Sequence, residues 1–171
     1  MDQIIRSLPL LLLLLLSSTT SSTATDTTST IHDILRDNGL PGGLVPKSTY
    51  IASYSLDTDT GLLYVNLTQP CYVRYADSIL AYFDNFIAGN LSFGALNGVE
   101  GLKQEELFVW LPVKGIIEEA GSGVILFDIE LAHKRLSRSL FEDPPDCHAS
   151  EALINPVQDI FGRRGGPQEE R

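Results

Sequence analysis

The chain is short of positive charge. Twelve Lys and Arg face 22 Asp and Glu, a formal net charge of −10 at pH 7. Nucleic acid is excluded as a partner, because phosphates demand a basic face. Simple electrostatic adhesion to anionic lipid is disfavoured on the same ground. Cysteine is scarce too: Cys71 and Cys147 are the whole supply. Their spacing fits no metal motif, and neither lies in a Cys-x-x-Cys redox pair. The three histidines, His32, His133 and His148, are widely separated and read as surface residues. No His-Glu-x-x-His motif occurs, so neither metal nor cofactor is expected. A Gly-x-Ser-x-Gly nucleophile elbow is also missing; "AGSGV" is a glycine turn before a strand. The acid pairs Glu105–Glu106, Glu118–Glu119 and Glu142–Asp143 read as solvated charges at strand ends rather than acid/base dyads. No catalytic residue is nominated, although a Ser/His/Asp triad is assembled in space and leaves no mark of its own in the chain order.

Long apolar runs are missing everywhere except at the front. "MDQIIRSLPLLLLLLLSS" carries one Arg and an apolar stretch from Leu8 to Leu16, broken by Pro9, then a Ser/Thr-rich segment. That layout is a signal peptide over residues 1–24, with Ser22 and Ala24 at the −3 and −1 positions. The run is shorter than the roughly 20 residues a bilayer span needs, with a retained signal anchor as the alternative. Cleavage leaves 171 − 24 = 147 residues, enough for one domain with a sizeable core. No integral membrane segment is expected after cleavage, and the C-terminus shows neither a lipid-anchor tail nor an ER-retention tetrapeptide. The expected destination is the secretory pathway, ending in the apoplast, with ER or vacuole as alternatives. In that oxidising route Cys71 and Cys147 read as one disulfide closing a loop of about 77 residues, worth roughly 4–5 kcal/mol. The alternative is two free thiols, one of them buried.

What the chain does have is turns and strands. After a polar leader at 25–29, "TIHDILRDNGLP" reads as a short helix. Thr30 caps it, Asp33 completes a capping box, and Gly39 and Pro41 stop it. The following "GLPGGLVPKS" is not a phosphate loop: Pro46 precedes Lys47 and offers no N–H, and the helix comes before the stretch rather than after it. From Tyr50 the period becomes two. Leu63, Val65 and Leu67 alternate with Tyr64, Asn66 and Thr68, and Ile125, Phe127, Ile129 and Leu131 alternate with Val124, Leu126, Asp128 and Glu130. "ELFVWLPVKGI" alternates in the same way, Leu107, Val109 and Leu111 against Phe108 and Trp110. "DTDTG" is a hairpin loop, not a calcium loop, since Thr68 stands where the bidentate Glu would be. These signals predict a mainly β domain over 30–149, an antiparallel barrel-like fold or sandwich with one short N-terminal helix. Residues 150–171 read as a flexible tail. Asn66-Leu67-Thr68 and Asn90-Leu91-Ser92 are glycosylation sequons, the second at a loop or strand end.

"DILRDNGLPGGLVPKS", "YSLDTDTGLLYVNL", "PCYVRY", "IAGNLSFGALNGVEGLKQEELFVWLPVKGI" and "SLFEDPPDC" follow one another in the order of a plant family. Over residues 31–147 the chain resembles the family catalogued as domain of unknown function 538. One stretch departs, "AHKRLSRSLFE", where members read more like Ser-Lys-Ser-Phe-Pro. The resemblance implies a small, mainly β, barrel-like plant domain, often secreted. Roles suggested for the family are lipid binding of a kind distantly like bactericidal permeability-increasing proteins, stress or growth functions, and ester hydrolysis of chlorophyll or pectin. It transfers no catalytic residue.

The residues favour binding over catalysis. Tyr72, Tyr75, Tyr82, Phe83, Phe86, Phe93, Phe108 and Trp110 form an aromatic set that either lines an apolar pocket or fills the core. The primary expectation is a non-catalytic module binding a lipid or other apolar small molecule. An esterase-like hydrolase and a protein-interaction domain without a ligand are the alternatives. A hollow barrel favours the first, a Ser or Asp bonded to a His in a cleft the second, and a filled barrel with an exposed apolar patch the third. The ligand-binding residues and the oligomeric state are left open.

Overall fold

The computed structural model describes residues 29–76, 79–130 and 132–150. The leader over 1–24 and nearly all of the tail therefore lie outside the described residues. The first element is helix α1, Ile31–Asp37. Thr30 Oγ1 accepts from the Asp33 N–H at 3.2 Å, and Asp33 Oδ2 accepts in return from the Thr30 N–H at 3.0 Å. Those reciprocal bonds satisfy donors the helix cannot reach. At the other end Gly39 takes φ +80°, which a side chain would resist. The Gly39 N–H then bonds to Arg36 O and the Leu40 N–H to Leu35 O, both at 2.9 Å, a Schellman stop. It drives Leu40 into the core beside Ile31 and Leu35, all three at most 1% exposed.

Among the described residues eight antiparallel strands follow: β1 Ile51–Leu56, β2 Leu62–Leu67, β3 Cys71–Tyr75, β4 Ile79–Ser92, β5 Ala95–Glu106, β6 Val109–Glu119, β7 Val124–Ile129 and β8 Ala132–Ser137. They form one sheet in the order β1-β2-β4-β5-β6-β7-β8, with β3 also on β4. Strand β4 has room for two neighbours because it is long: Ile79–Phe83 pair with β3, and Phe86–Asn90 pair with β2. The sheet curves without closing β8 onto β1. Its inner face carries the expected alternation. Leu63, Val65, Leu67, Ile125, Phe127 and Ile129 are buried, while Leu62, Tyr64 and Asn66 face out.

Both ends of the domain fill that inner face. From the N-terminal side come α1, Leu40 and the 3-10 turn Gly42–Leu44, followed by buried Val45. From the C-terminal side comes the 3-10 turn Arg138–Phe141. Phe141 is 0% exposed, stacked on Phe127 at 5.3 Å and tilted against Tyr75 at 4.7 Å between ring centroids. The Tyr75 hydroxyl donates to Leu44 O at 3.0 Å, and burial pushes its pKa far above the ordinary 10.0. A Cβ on Gly43 would fall 2.4 Å from the carbonyl oxygens of both Phe141 and Asp143, so glycine lets the two ends touch backbone to backbone. The Pro/Gly-rich stretch is thus a helix stop and a core plug. The structure joins Cys71 to Cys147, Cα to Cα 5.4 Å, tying β3 to the segment after the plug.

Three local expectations are corrected. "ELFVWLPVKGI" is not one strand: β5 ends at Glu106, Leu107 and Phe108 turn at φ +49° and +69°, and β6 begins at Val109. Strand β8 is an addition, its sequence nearly all polar with Leu136 its one buried side chain. His32 is not a surface residue but 5% exposed, its ring seated under the loop after α1.

Candidate functional site

Among the described residues a cleft lies at one end of the sheet. The turn after β4 contributes Phe93 and Gly94, the end of β6 gives Ile117 and Glu118, and the turn after β6 gives Ala120 and Gly121. Gly39 and Ala95 complete a cleft of about 370 Å³. Main-chain bonds set its frame. The Gly94 N–H donates to Asn38 O at 2.7 Å, and the Glu118 N–H donates to Gly94 O at 2.8 Å. The helix stop, the β4–β5 turn and β6 are thereby laced together. The Phe93 ring rests against the open Cα face of Gly39, where a Cβ would meet it at 3.3 Å. The ring is nonetheless 83% exposed.

Below the cleft stands Arg138. Its guanidinium donates to Gly39 O at 2.9 Å, to the Glu118 carboxylate, and through Nε to Glu142 at 3.1 Å. Glu118 is the cleft's single charged lining residue, and this pairing holds it neutralised at the wall. Glu119, next to it, takes a two-pronged grip from Arg135 at 2.6 and 2.5 Å. Glu105–Glu106 and Glu118–Glu119 thus stand at strand ends as read, whereas Glu142–Asp143 follows the 3-10 turn, and Glu106, Glu118, Glu119 and Glu142 are engaged in ion pairs rather than simply solvated. The resulting site is apolar in body with one polar anchor, which suits an amphiphile.

The aromatic set scatters instead of lining one pocket. Tyr75 and Phe83 are core residues. Tyr72, Tyr82 and Trp110 cluster with centroids 4.9–6.2 Å apart beside a shallow recess of about 250 Å³, and Lys103 Nζ sits 5.3 Å from the Tyr82 ring centroid. Burial first, then the nearby Asp84 carboxylate and Tyr72, raise the Tyr82 pKa. Phe86 stacks on Tyr64 on the outer face at 6.4 Å. Phe93 and Phe108 stand out at hairpin tips.

Two buried polar groups were not foreseen. His32 Nδ1 lies 2.8 Å from Gly42 O. A carbonyl only accepts, so Nδ1 carries the hydrogen, and Nε2 is left buried without a partner among the described residues. Gln104, 0% exposed, donates from Nε2 to Glu106 Oε1 at 2.7 Å while its Oε1 has no partner among the described residues. Glu106 also holds Lys134, so a short polar chain runs from the core to the rim. Neither His32 nor Gln104 lines the cleft. Among the described residues no three His, Cys, Asp or Glu side chains converge to hold a metal. Asn66 and Asn90 are both exposed, and Asn90 lies inside β4 rather than in a loop.

The family model "Protein of unknown function, DUF538" matches residues 31–142, well over half of the chain. The chain belongs to the DUF538 family. The uncharacterized protein At5g01610 of Arabidopsis thaliana is 32% identical to it over 88 residues, 52% of this chain and 50% of the relative. The chain thus matches about half the length of that curated relative. The DUF538 match opens on the first residue of α1 and ends just past Phe141. It therefore contains every residue of the cleft and its Arg138 clamp, while Cys147 lies beyond it. No sequence signal announced the cleft in this DUF538 protein: its walls come from three separate segments, and Arg138 lies 99 residues from the carbonyl it holds. Only the helix stop at Gly39 was visible beforehand.

Proposed function

We propose that this protein is a non-catalytic module of the secretory pathway that binds a lipid or other apolar small molecule. The ligand sits in the Phe93/Ile117 cleft, not inside the barrel. The observation that carries the reading is the cleft itself: about 370 Å³, apolar walls, an uncovered Phe93 and one anchored carboxylate. Ligand pockets run from about 300 to 1,000 Å³, so the volume suits one acyl chain segment or a small ring system. The filled inner face counts against a hollow-barrel version. The apolar leader and the Cys71–Cys147 cross-link support secretion, with the apoplast as destination.

The test is a titration with a fluorescent polyene fatty acid and with lysophospholipid. Saturable binding is expected, accompanied by a rise in melting temperature. Ile117→Lys, which places a charge in the wall at a partly exposed position, is expected to abolish both effects. Binding that ignores Ile117→Lys, or no binding at all, removes the reading. Turnover of a reporter ester sensitive to a single Ser→Ala change would favour the hydrolase instead.

A second observation supports an interaction domain. Leu107 and Phe108, 89% and 87% exposed, form the tip of the β5–β6 hairpin. Both hold positive φ, where Asn-Gly is the usual pair and a larger residue costs roughly 1–2 kcal/mol. Strain kept at an exposed apolar tip is a feature of contact surfaces. Phe108→Ser abolishing capture of a protein partner, with fatty-acid binding intact, would favour that reading.

A further inference from the structure

The outer face of β2 and β4 carries an apolar stripe with a sequon at each of two opposite corners. Leu62, Tyr64 and Phe86 are 44%, 41% and 38% exposed, and the Tyr64 and Phe86 rings stack at an interplanar angle of 27°. Along β2 the outward residues run Leu62, Tyr64, Asn66. Across the ladder Leu62 pairs with Asn90, Tyr64 with Ala88, and Asn66 with Phe86. Each sequon asparagine is therefore the direct cross-strand neighbour of one end of the stripe. Such neighbours stand about 4.5–5.5 Å apart, within the width of one sugar ring. On the β1 side the stripe is bordered by Ser53 and Ser55.

We propose that both Asn66 and Asn90 carry N-linked glycans, and that the innermost sugars of the two chains lie over Leu62, Tyr64 and Phe86 from opposite corners. The inference rests on the secretory routing proposed above and not on the apolar ligand. Contiguous exposed apolar area on a soluble domain invites association unless something covers it. A pyranose has one face of C–H groups, which packs on an aromatic ring while its hydroxyls stay in water. The tilted pair Tyr64–Phe86 offers such a platform between the two asparagines.

The local chemistry permits the modification. Asn66 and Asn90 are exposed, as are Thr68 and Ser92, whose hydroxyls complete the sequons. Asn66 Nδ2 donates to Ser53 Oγ at 3.0 Å, and Asn90 Nδ2 donates to Thr60 O at 2.6 Å. Each bond uses one amide hydrogen and leaves the second to be replaced. The donor is an oligosaccharide on a polyprenyl diphosphate. A bond forms from Nδ2 to C1 of the first N-acetylglucosamine as the C1–O bond to diphosphate breaks. The departing diphosphate keeps that electron pair, and the amide gives up one proton. The remaining N–H still holds the Thr60 carbonyl, so the attached sugar starts from a fixed angle at the Asn90 corner.

The experiment uses the full chain secreted from plant cells. Intact-mass spectrometry is expected to show two glycan increments, one lost in Asn66→Gln or Thr68→Ala and the other in Asn90→Gln or Ser92→Ala. Native enzymatic removal of the glycans is then expected to raise the fluorescence of an apolar-surface dye and retention on a hydrophobic column several-fold. In Tyr64→Ser, and in Leu62→Ser with Phe86→Ser, that rise should shrink, with circular dichroism confirming that each variant is folded. Tyr64→Ser alone carries the test if the double variant does not fold. Fewer than two increments overturns the proposal. So does a deglycosylated protein whose dye signal is unchanged, or a rise that persists in the serine variants. Absence of glycans together with saturable fatty-acid binding by the disulfide-bonded protein would overturn this inference alone and leave the cleft standing.

Discussion

Replacing Phe141 with alanine tests whether the two ends of the domain are held together by one ring. Phe141 is 0% exposed and makes two aromatic contacts, to Phe127 and Tyr75. Removing a buried phenylalanine costs about 3–5 kcal/mol. The stacked geometry, worth about 0.5–1.5 kcal/mol per pair, places the expectation at the upper half of that range. The Phe141 backbone is pinned against Gly43, which limits how far the plug can shift to fill the hole. A net stability of about 5–15 kcal/mol leaves the variant folded but marginal. For a domain spanning residues 29–150, the melting temperature should fall by roughly 12–20 °C. Urea denaturation followed by tryptophan fluorescence measures it, with an unchanged slope showing that only stability moved. Phe141→Leu should cost about half as much. Phe93→Ala, which removes an exposed ring, should stay within about 0.5 kcal/mol. A Phe141→Ala loss below about 1.5 kcal/mol, or one equal to that of Phe93→Ala, would refute the plug.

The remaining predictions concern charge. Tyr75 has its folded pKa raised by burial, so its contribution is fully present below the unfolded value of 10.0 and is lost as pH rises beyond it. Stability should therefore fall above about pH 10 in urea melts, and Tyr75→Phe should flatten that limb while losing about 1 kcal/mol at neutral pH with the Leu44 bond. Arg138→Gln strips the cation from Glu118 and a donor from Gly39 O; about 2 kcal/mol of stability should go, and fatty-acid affinity with it. Glu142→Gln removes only the more exposed arm and should cost under about 0.5 kcal/mol; equal losses in the two variants would show that the clamp is not centred on Glu118.

How much was legible depended on the reach of each signal. Helix α1 was readable at both ends because Thr30, Asp33, Gly39 and Pro41 act within a few residues of one another. The inner face of β2 and β7 was readable because alternation is local. The β5–β6 hairpin was not, since its tip is Leu107-Phe108, two residues with no turn preference, sitting in an unbroken apolar pattern. Strand β8 was hidden because "AHKRLS" offers one buried residue, Leu136, and takes its conformation from pairing with β7. His32 was misplaced for a related reason: the helical face marked Ile31, Ile34 and Leu35, and only the return of the chain to Gly42 covers the ring. The cleft was invisible altogether, because Gly39, Phe93, Ile117 and Ala120 meet through the sheet and not through any local pattern.

The meeting of the two ends also sets an order of events during synthesis. From β4 to β8 each strand can zip against the one just made as it emerges, whereas β2 and β3 both wait for β4. Helix α1 and Leu44 have no lid until Phe141 arrives, and Lys47 waits for Asp146, 99 residues later. Closing so long a loop is slow, and the waiting intermediate is a curved sheet with its apolar inside uncovered. That interval is when the nascent chain is most exposed to aggregation. Pairing of Tyr72 with His148 then brings Cys147 beside Cys71, so oxidation seals a domain whose last-made turn has just shut its core.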